Sequence, residues 1–149
     1  FDVMFDTDKG CSWNEISGRY VQWAPEFYVP NMMRANPPHG NKQASFDLPA
    51  DFDHAGERAR MQAECERSFE LYNERIRRGV AKEIARMLLP QNLYSQAYWT
   101  VSLQGVIHFL EQRLEPDAQH EIRRYAEAVF ELVKVDLERV GVTRESLLR

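Results

Sequence analysis

The sequence predicts an α+β fold, a helical bundle packed on a small antiparallel or mixed sheet. Two observations lead there. Beyond residue 53, apolar side chains recur at steps of three and four, the period of one helix face. Before residue 53 that rhythm is missing, and five of the seven prolines (Pro25, Pro30, Pro37, Pro38, Pro49) stand among many aromatics. Proline fixes φ and removes a backbone donor, so such a stretch favours loops and short extended pieces.

Taken in order, Phe1-Asp2-Val3-Met4-Phe5 reads as the remnant of a strand. Tyr20-Val21-Gln22-Trp23 and Phe27-Tyr28-Val29 are aromatic and β-branched, and read as short extended segments. Asn36-Pro37-Pro38-His39-Gly40-Asn41 is a loop by its turn chemistry. Met61, Cys65, Phe69, Tyr72 and Ile76 then share one face of a first helix, which Gly79 ends. A second helix over residues 81–89 stops at Pro90. A third is predicted over residues 95–114, with Tyr98, Val101, Ile107 and Leu110 among its apolar positions. Pro116 suits the first turn of a fourth helix, which turns Ile122, Tyr125, Ala126, Val129 and Val133 inward and ends near Gly141. Thr143, with Ser146 nearby, caps a short last helix. There is no internal repeat, and residues 1–149 read as a single domain.

Bulk properties exclude more than they identify. The net charge of −4 argues against a nucleic-acid partner, which selects a basic surface. Cys11 and Cys65 make no disulfide framework and no metal-type spacing, and His39 and His54 show none either. No metal is expected. No apolar run is long enough to span a membrane and no signal peptide is visible, so a cytoplasmic setting is expected. GxGxxG, P-loop and HExxH motifs are missing.

The chemistry concentrates in Asn14-Glu15-Ile16-Ser17-Gly18-Arg19-Tyr20. A carboxylate, a hydroxyl, a glycine and a guanidinium within five residues can grip a uracil-like edge and a phosphate together. Each candidate also has a plain structural reading. Glu15 and Arg19 have the spacing of a helix-surface pair worth about 0.2–0.5 kcal/mol. Arg86, near a helix end, can face solvent or oppose the helix dipole. His108, inside Val106-Ile107-His108-Phe109-Leu110, reads as a hydrogen-bonded core histidine. Arg113 is favourable near a helix C-terminus. Glu83 reads as a local partner of Arg86 or Arg78, and Arg75, Arg77 and Arg78 as a solvated face.

The order of these pieces resembles one family, the flavin-dependent thymidylate synthases. Their signature is a basic triplet followed after seven residues by a serine, and Ser17 fits that serine. Phe27-Tyr28-Val29-Pro30, Asn41-Lys42-Gln43-Ala44-Ser45, the stretch Gly79 to Pro90, Trp99-Thr100-Val101-Ser102-Leu103-Gln104, His108-Phe109-Leu110 with Arg113, and Ala118-Gln119-His120-Glu121-Ile122-Arg123 resemble later segments. The resemblance runs over roughly residues 11–135 and implies a cytoplasmic homotetramer with FAD at subunit interfaces. It also implies NADPH as reductant, methylenetetrahydrofolate as carbon donor and dUMP as methyl acceptor. Glu15, Ser17, Gly18, Arg19 and Arg86 are then expected to contact dUMP, with Glu15 also near the flavin. Arg113 is the expected catalytic residue and a further dUMP contact, stabilising negative charge on the uracil ring. Ser102, Leu103, Gln104 and His108 are expected against FAD.

Two departures stand beside this. The basic triplet is replaced by Thr7-Asp8-Lys9, which keeps one cation and adds an anion. The family also carries several dozen residues before this motif, so the domain is expected to be incomplete at its N-terminus. The second expectation, from a different class, is a non-catalytic or divergent member: a scaffold that lost flavin binding, or an enzyme making another change at the pyrimidine C5.

Overall fold

The computed structural model describes residues 11–18, 20–21, 23–36 and 45–148. Its elements are β1 (Cys11–Glu15), β2 (Arg34–Ala35), β3 (Phe46–Asp47), α1 (His54–Arg77), α2 (Lys82–Ala85) running into a 3-10 turn (Arg86–Leu88), β4 (Ala97–Val101), α3 (Leu103–Arg113), α4 (His120–Arg139) and α5 (Arg144–Leu147). β1 pairs with β4, and β2 pairs antiparallel with β3, Arg34 opposite Asp47 and Ala35 opposite Phe46. The fold is therefore α+β, as the sequence predicts. The strand expected at residues 1–5 and most of the loop at residues 36–41 lie outside the described residues.

The chain divides into two compact units. One joins residues 14–33 to residues 48–98. Its axis is α1, which starts where the Asp53 carboxylate accepts the Gly56 N–H at 2.8 Å. Cys65, Phe69 and Tyr72 are its buried residues, spaced as one face. Phe69 meets Phe27 edge-on at 6.2 Å, and Trp23, Ile76, Val80, Leu89 and Leu93 pack around Phe69, Tyr72 and Ala85. The helix ends in a Schellman turn: Gly79, at φ +82°, donates to the Ile76 carbonyl and Val80 to that of Arg75. Arg77 and Arg78 are exposed, but Arg75 is half-buried with its Nη1 out of solvent, so the basic run is only partly a solvated face. Arg78 pairs with Glu74 rather than with Glu83.

The other unit holds α3, α4, α5 and the β2–β3 pair. Leu110, Ala126 and Leu137 are fully buried, with Val106, Phe109, Leu114, Phe130 and Leu147 around them. Arg34 pairs with Glu121, tying β2 to the first turn of α4. A second Schellman turn closes α4 at Gly141, φ +76°, with Val142 packed on the same core. Thr143 and Ser146 form a capping box on α5.

Four expectations are corrected. Residues 97–101 are strand, not the start of the third helix: Tyr98, Trp99, Thr100 and Val101 are aromatic or β-branched, and Ser102 caps the helix that follows. Pro116 does not open α4. It sits at the second position of a turn closed by Ala118 N–H to the Glu115 carbonyl, and the helix begins at His120. Tyr125 is 62% exposed rather than inward. It joins Leu132 and Val135 on a second apolar stripe of α4, opposed to the buried one. Tyr20 and Val21 lie in a turn rather than an extended piece, because both amides donate to the Ser17 carbonyl at 3.0 Å.

Candidate functional site

In the first unit, β1 ends at Glu15 and the chain then folds into a turn that opens at Ser17 and passes through Gly18. Residues 16–28 are laced to residues 92–96: Ile16 N–H donates to the Gln96 carbonyl at 2.8 Å, Tyr94 N–H to Glu26 at 2.9 Å, and Tyr28 N–H to Asn92 at 2.8 Å. Phe27 and Leu93 form an antiparallel bridge between them. The Asn92 side chain locks this lacing, its Nδ2 donating to the Tyr28 carbonyl at 2.8 Å while its amide meets the buried Cys65 sulfur.

Beside the turn lies a cavity of about 460 Å³, lined among others by Ile16, Gly18, Val21, Trp23, Tyr94 and Ser95. Gly18 is buried, and the Trp23 indole covers the place where its side chain would be. The Trp23 Nε1 is buried and has no acceptor among the described residues. Glu15 belongs to a strand, which removes the helix-surface reading of Glu15 and Arg19. Its carboxylate is exposed and accepts a hydrogen bond from the Ser95 hydroxyl. Arg19 lies outside the described residues, as do Thr7, Asp8 and Lys9. Arg86 is exposed on the 3-10 turn, and among the described residues its side chain has no ion-pair partner.

In the second unit the remaining candidates share one helix. The Ser102 hydroxyl accepts the Gly105 N–H at 3.1 Å and so caps α3. Leu103 and Gln104 are exposed in the first turn, with no acidic residue beside them. His108 is one turn after Gln104 on the same face. Its side chain is 45% exposed, with Nδ1 4.0 Å from Glu111 Oε2, so it is not a core histidine. Arg113 is half-buried in the last turn, four residues after the buried Phe109. Its stem continues the buried face while its guanidinium has no ion-pair partner among the described residues. Glu15, Ser17 and Gly18 thus gather on one strand and turn, and Ser102, Leu103, Gln104, His108 and Arg113 on one helix.

Trp23 and Ser95 were not legible as site residues. Ser95 reaches Glu15 across 80 positions of sequence, and no local pattern announces such a contact. Among the described residues, no group of three His, Cys, Asp or Glu side chains could hold a metal ion, and no helix is long and apolar enough to cross a membrane.

The family model described as thymidylate synthase complementing protein matches residues 7–136. A flavin-dependent thymidylate synthase of Thermus thermophilus is 44% identical over 126 residues, 85% of this chain and 45% of the relative. One from Kosmotoga olearia is 36% identical over 139 residues, 93% of this chain and 58% of the relative. The chain therefore spans about half the length of the curated relatives it matches. Among solved structures, the UMP/dUMP methylase PolB from Streptomyces cacaoi bound with 5-Br UMP superposes with a TM-score of 0.72 at 30% identity, covering 86% of this chain and 61% of the other. Its complex with 5-Br dUMP gives 0.71.

Proposed function

The chain belongs to the thymidylate synthase complementing protein family, and on that premise we propose that it works in a flavin-dependent enzyme that methylates dUMP to dTMP. The observation that carries this reading is the strand and turn that set Glu15, Ser17 and Gly18 together, with Gly18 on the wall of a cavity. A carboxylate accepts an imide or hydroxyl proton, and the serine hydroxyl can donate or accept beside it.

Each residue then has a task. Glu15, Ser17 and Gly18 hold the nucleotide. Arg19 and Arg86 bind its anionic phosphate, for which a guanidinium offers paired donors. Arg113 is assigned the stabilisation of the negative charge that develops as the uracil N3 ionises or the ring becomes enolate-like, which makes C5 nucleophilic. Such preorganised donors are worth about 3–4 kcal/mol in a water-excluded site. No cysteine nucleophile is needed, and Cys65 is engaged with Asn92.

The residues on α3 fit a flavin. An exposed amide at Gln104 and the imidazole of His108, one turn apart, offer hydrogen-bonding groups to a uracil-like ring edge, beside the exposed Leu103. Ser102, Leu103, Gln104 and His108 would hold FAD, which carries reducing equivalents from NADPH while methylenetetrahydrofolate supplies the carbon. A homotetramer is part of this proposal, and the stripe of Tyr125, Leu132 and Val135 on α4 offers apolar surface for a subunit contact.

Thr7-Asp8-Lys9 favours the second reading, a scaffold that has lost flavin binding. The visible absorption spectrum of the purified protein separates the two. A flavin spectrum that shifts on adding dUMP supports the enzyme. A colourless protein that takes up no added FAD overturns it in favour of the scaffold.

A further inference from the structure

We propose that Ser95 is a positioning residue for the Glu15 carboxylate, an inference that rests on Glu15 contacting dUMP. Glu15 closes β1 with its side chain exposed, and an exposed glutamate samples many rotamers. Here one carboxylate oxygen is taken. Ser95 Oγ donates to Glu15 Oε1, while Oε2 has no hydrogen-bond partner among the described residues. One oxygen is thereby anchored to the protein and the other is left for a ligand.

The backbone supports this geometry. Ile16 N–H donates to the Gln96 carbonyl, so the residue after Glu15 is bonded to the residue after Ser95. Ile16, Ser95 and Gln96 all line the cavity that Gly18 also borders. The hydroxyl therefore comes from a segment already held against the Glu15 strand end, and little further ordering is needed to keep the carboxylate in place. A hydrogen bond to a charged acceptor is among the stronger polar contacts, and holding a binding group in its bound conformation raises affinity without adding a contact to the ligand. Threonine carries the same hydroxyl and alanine does not, so the pair distinguishes the hydroxyl's role from that of bulk.

The test uses the full chain loaded with FAD, with dUMP titrated while the flavin spectrum is recorded. Ser95→Ala is expected to weaken dUMP binding about tenfold, a typical effect for a hydrogen bond to a charged group. FAD content and Tm are expected to stay as in the parent, and Ser95→Thr to restore the affinity. In a Glu15→Ala background, Ser95→Ala is expected to add no further loss. Parental dUMP affinity in Ser95→Ala, alongside a clear loss in Glu15→Ala, overturns this inference and leaves the proposed function standing. A Ser95→Ala loss that persists in full on Glu15→Ala, or that Ser95→Thr does not restore, also overturns it. Parental affinity in Glu15→Ala removes Glu15 from the nucleotide site, and the role of Ser95 falls with it.

Discussion

A Cβ on Gly18 would lie 1.9 Å from Nε1 of Trp23. The turn after β1 and the indole that covers it are therefore built for each other: the indole packs over bare backbone, and any side chain at position 18 must displace a bulky ring. Gly18 reads in the sequence as a residue that lets a ligand approach. In the fold it first lets Trp23 approach.

Gly18→Ala should therefore force the indole out of place. Overpacking of this kind costs about 1–3 kcal/mol. We expect a lower Tm and weaker dUMP binding in a spectral titration. Adding Trp23→Ala should relieve the clash. An unchanged Tm in Gly18→Ala alone would show that the indole moves aside freely.

Arg113→Lys keeps the charge in the last turn of α3 but loses the planar fork. Turnover of dUMP should fall by about 10²-fold or more while FAD stays bound. Steady-state kinetics with the flavin spectrum as control decide this, and unchanged methylation would remove Arg113 from the catalytic role.

Arg19→Ala should weaken dUMP binding more than FAD binding, because its fork is assigned to the nucleotide. Titration of each ligand by the flavin signal measures both, and equal dUMP affinity in the variant counts against the assignment.

Asn92→Ala removes the amide that bonds the Tyr28 carbonyl and the Cys65 sulfur. A partly buried carbonyl is left without its side-chain donor, at a cost of about 1–3 kcal/mol. Urea denaturation should show a lower midpoint. No change in the midpoint would mean that the backbone lacing between Tyr28 and Asn92 suffices.

Low pH should loosen α5. The Glu145 carboxyl is held below its ordinary value by a hydrogen bond at its own backbone and by the Thr143 side chain, with Arg144 adding a smaller effect. A depressed native value stabilises the folded form above the ordinary carboxylate range, and that contribution is lost as pH falls through the native value. Amide NMR signals of residues 144–147 should report fraying in acid, and Glu145→Gln should abolish that dependence.

Much of this molecule was legible in local pattern. Spacing marked the buried face of α1 through Cys65, Phe69 and Tyr72, and glycine chemistry marked both helix ends, since Gly79 and Gly141 sit at positive φ. Thr143 and Ser146 announced their own cap. The Asn14–Tyr20 motif and the later segments point to the family from sequence alone, and residues 7–136 match it.

What only the tertiary structure decided involves partners distant in sequence. The apolar steps of residues 97–101 suit helix or strand, and pairing with β1 makes them strand. Tyr125 has the right spacing for the core of α4, but that core is filled by Ala126, Phe130 and Leu137, and the tyrosine faces out. Glu15 meets Ser95 across 80 positions. Local sequence determines φ, ψ and capping because those energies act within a turn or two. It carries no comparable signal for contacts that exist only after the chain has folded back on itself.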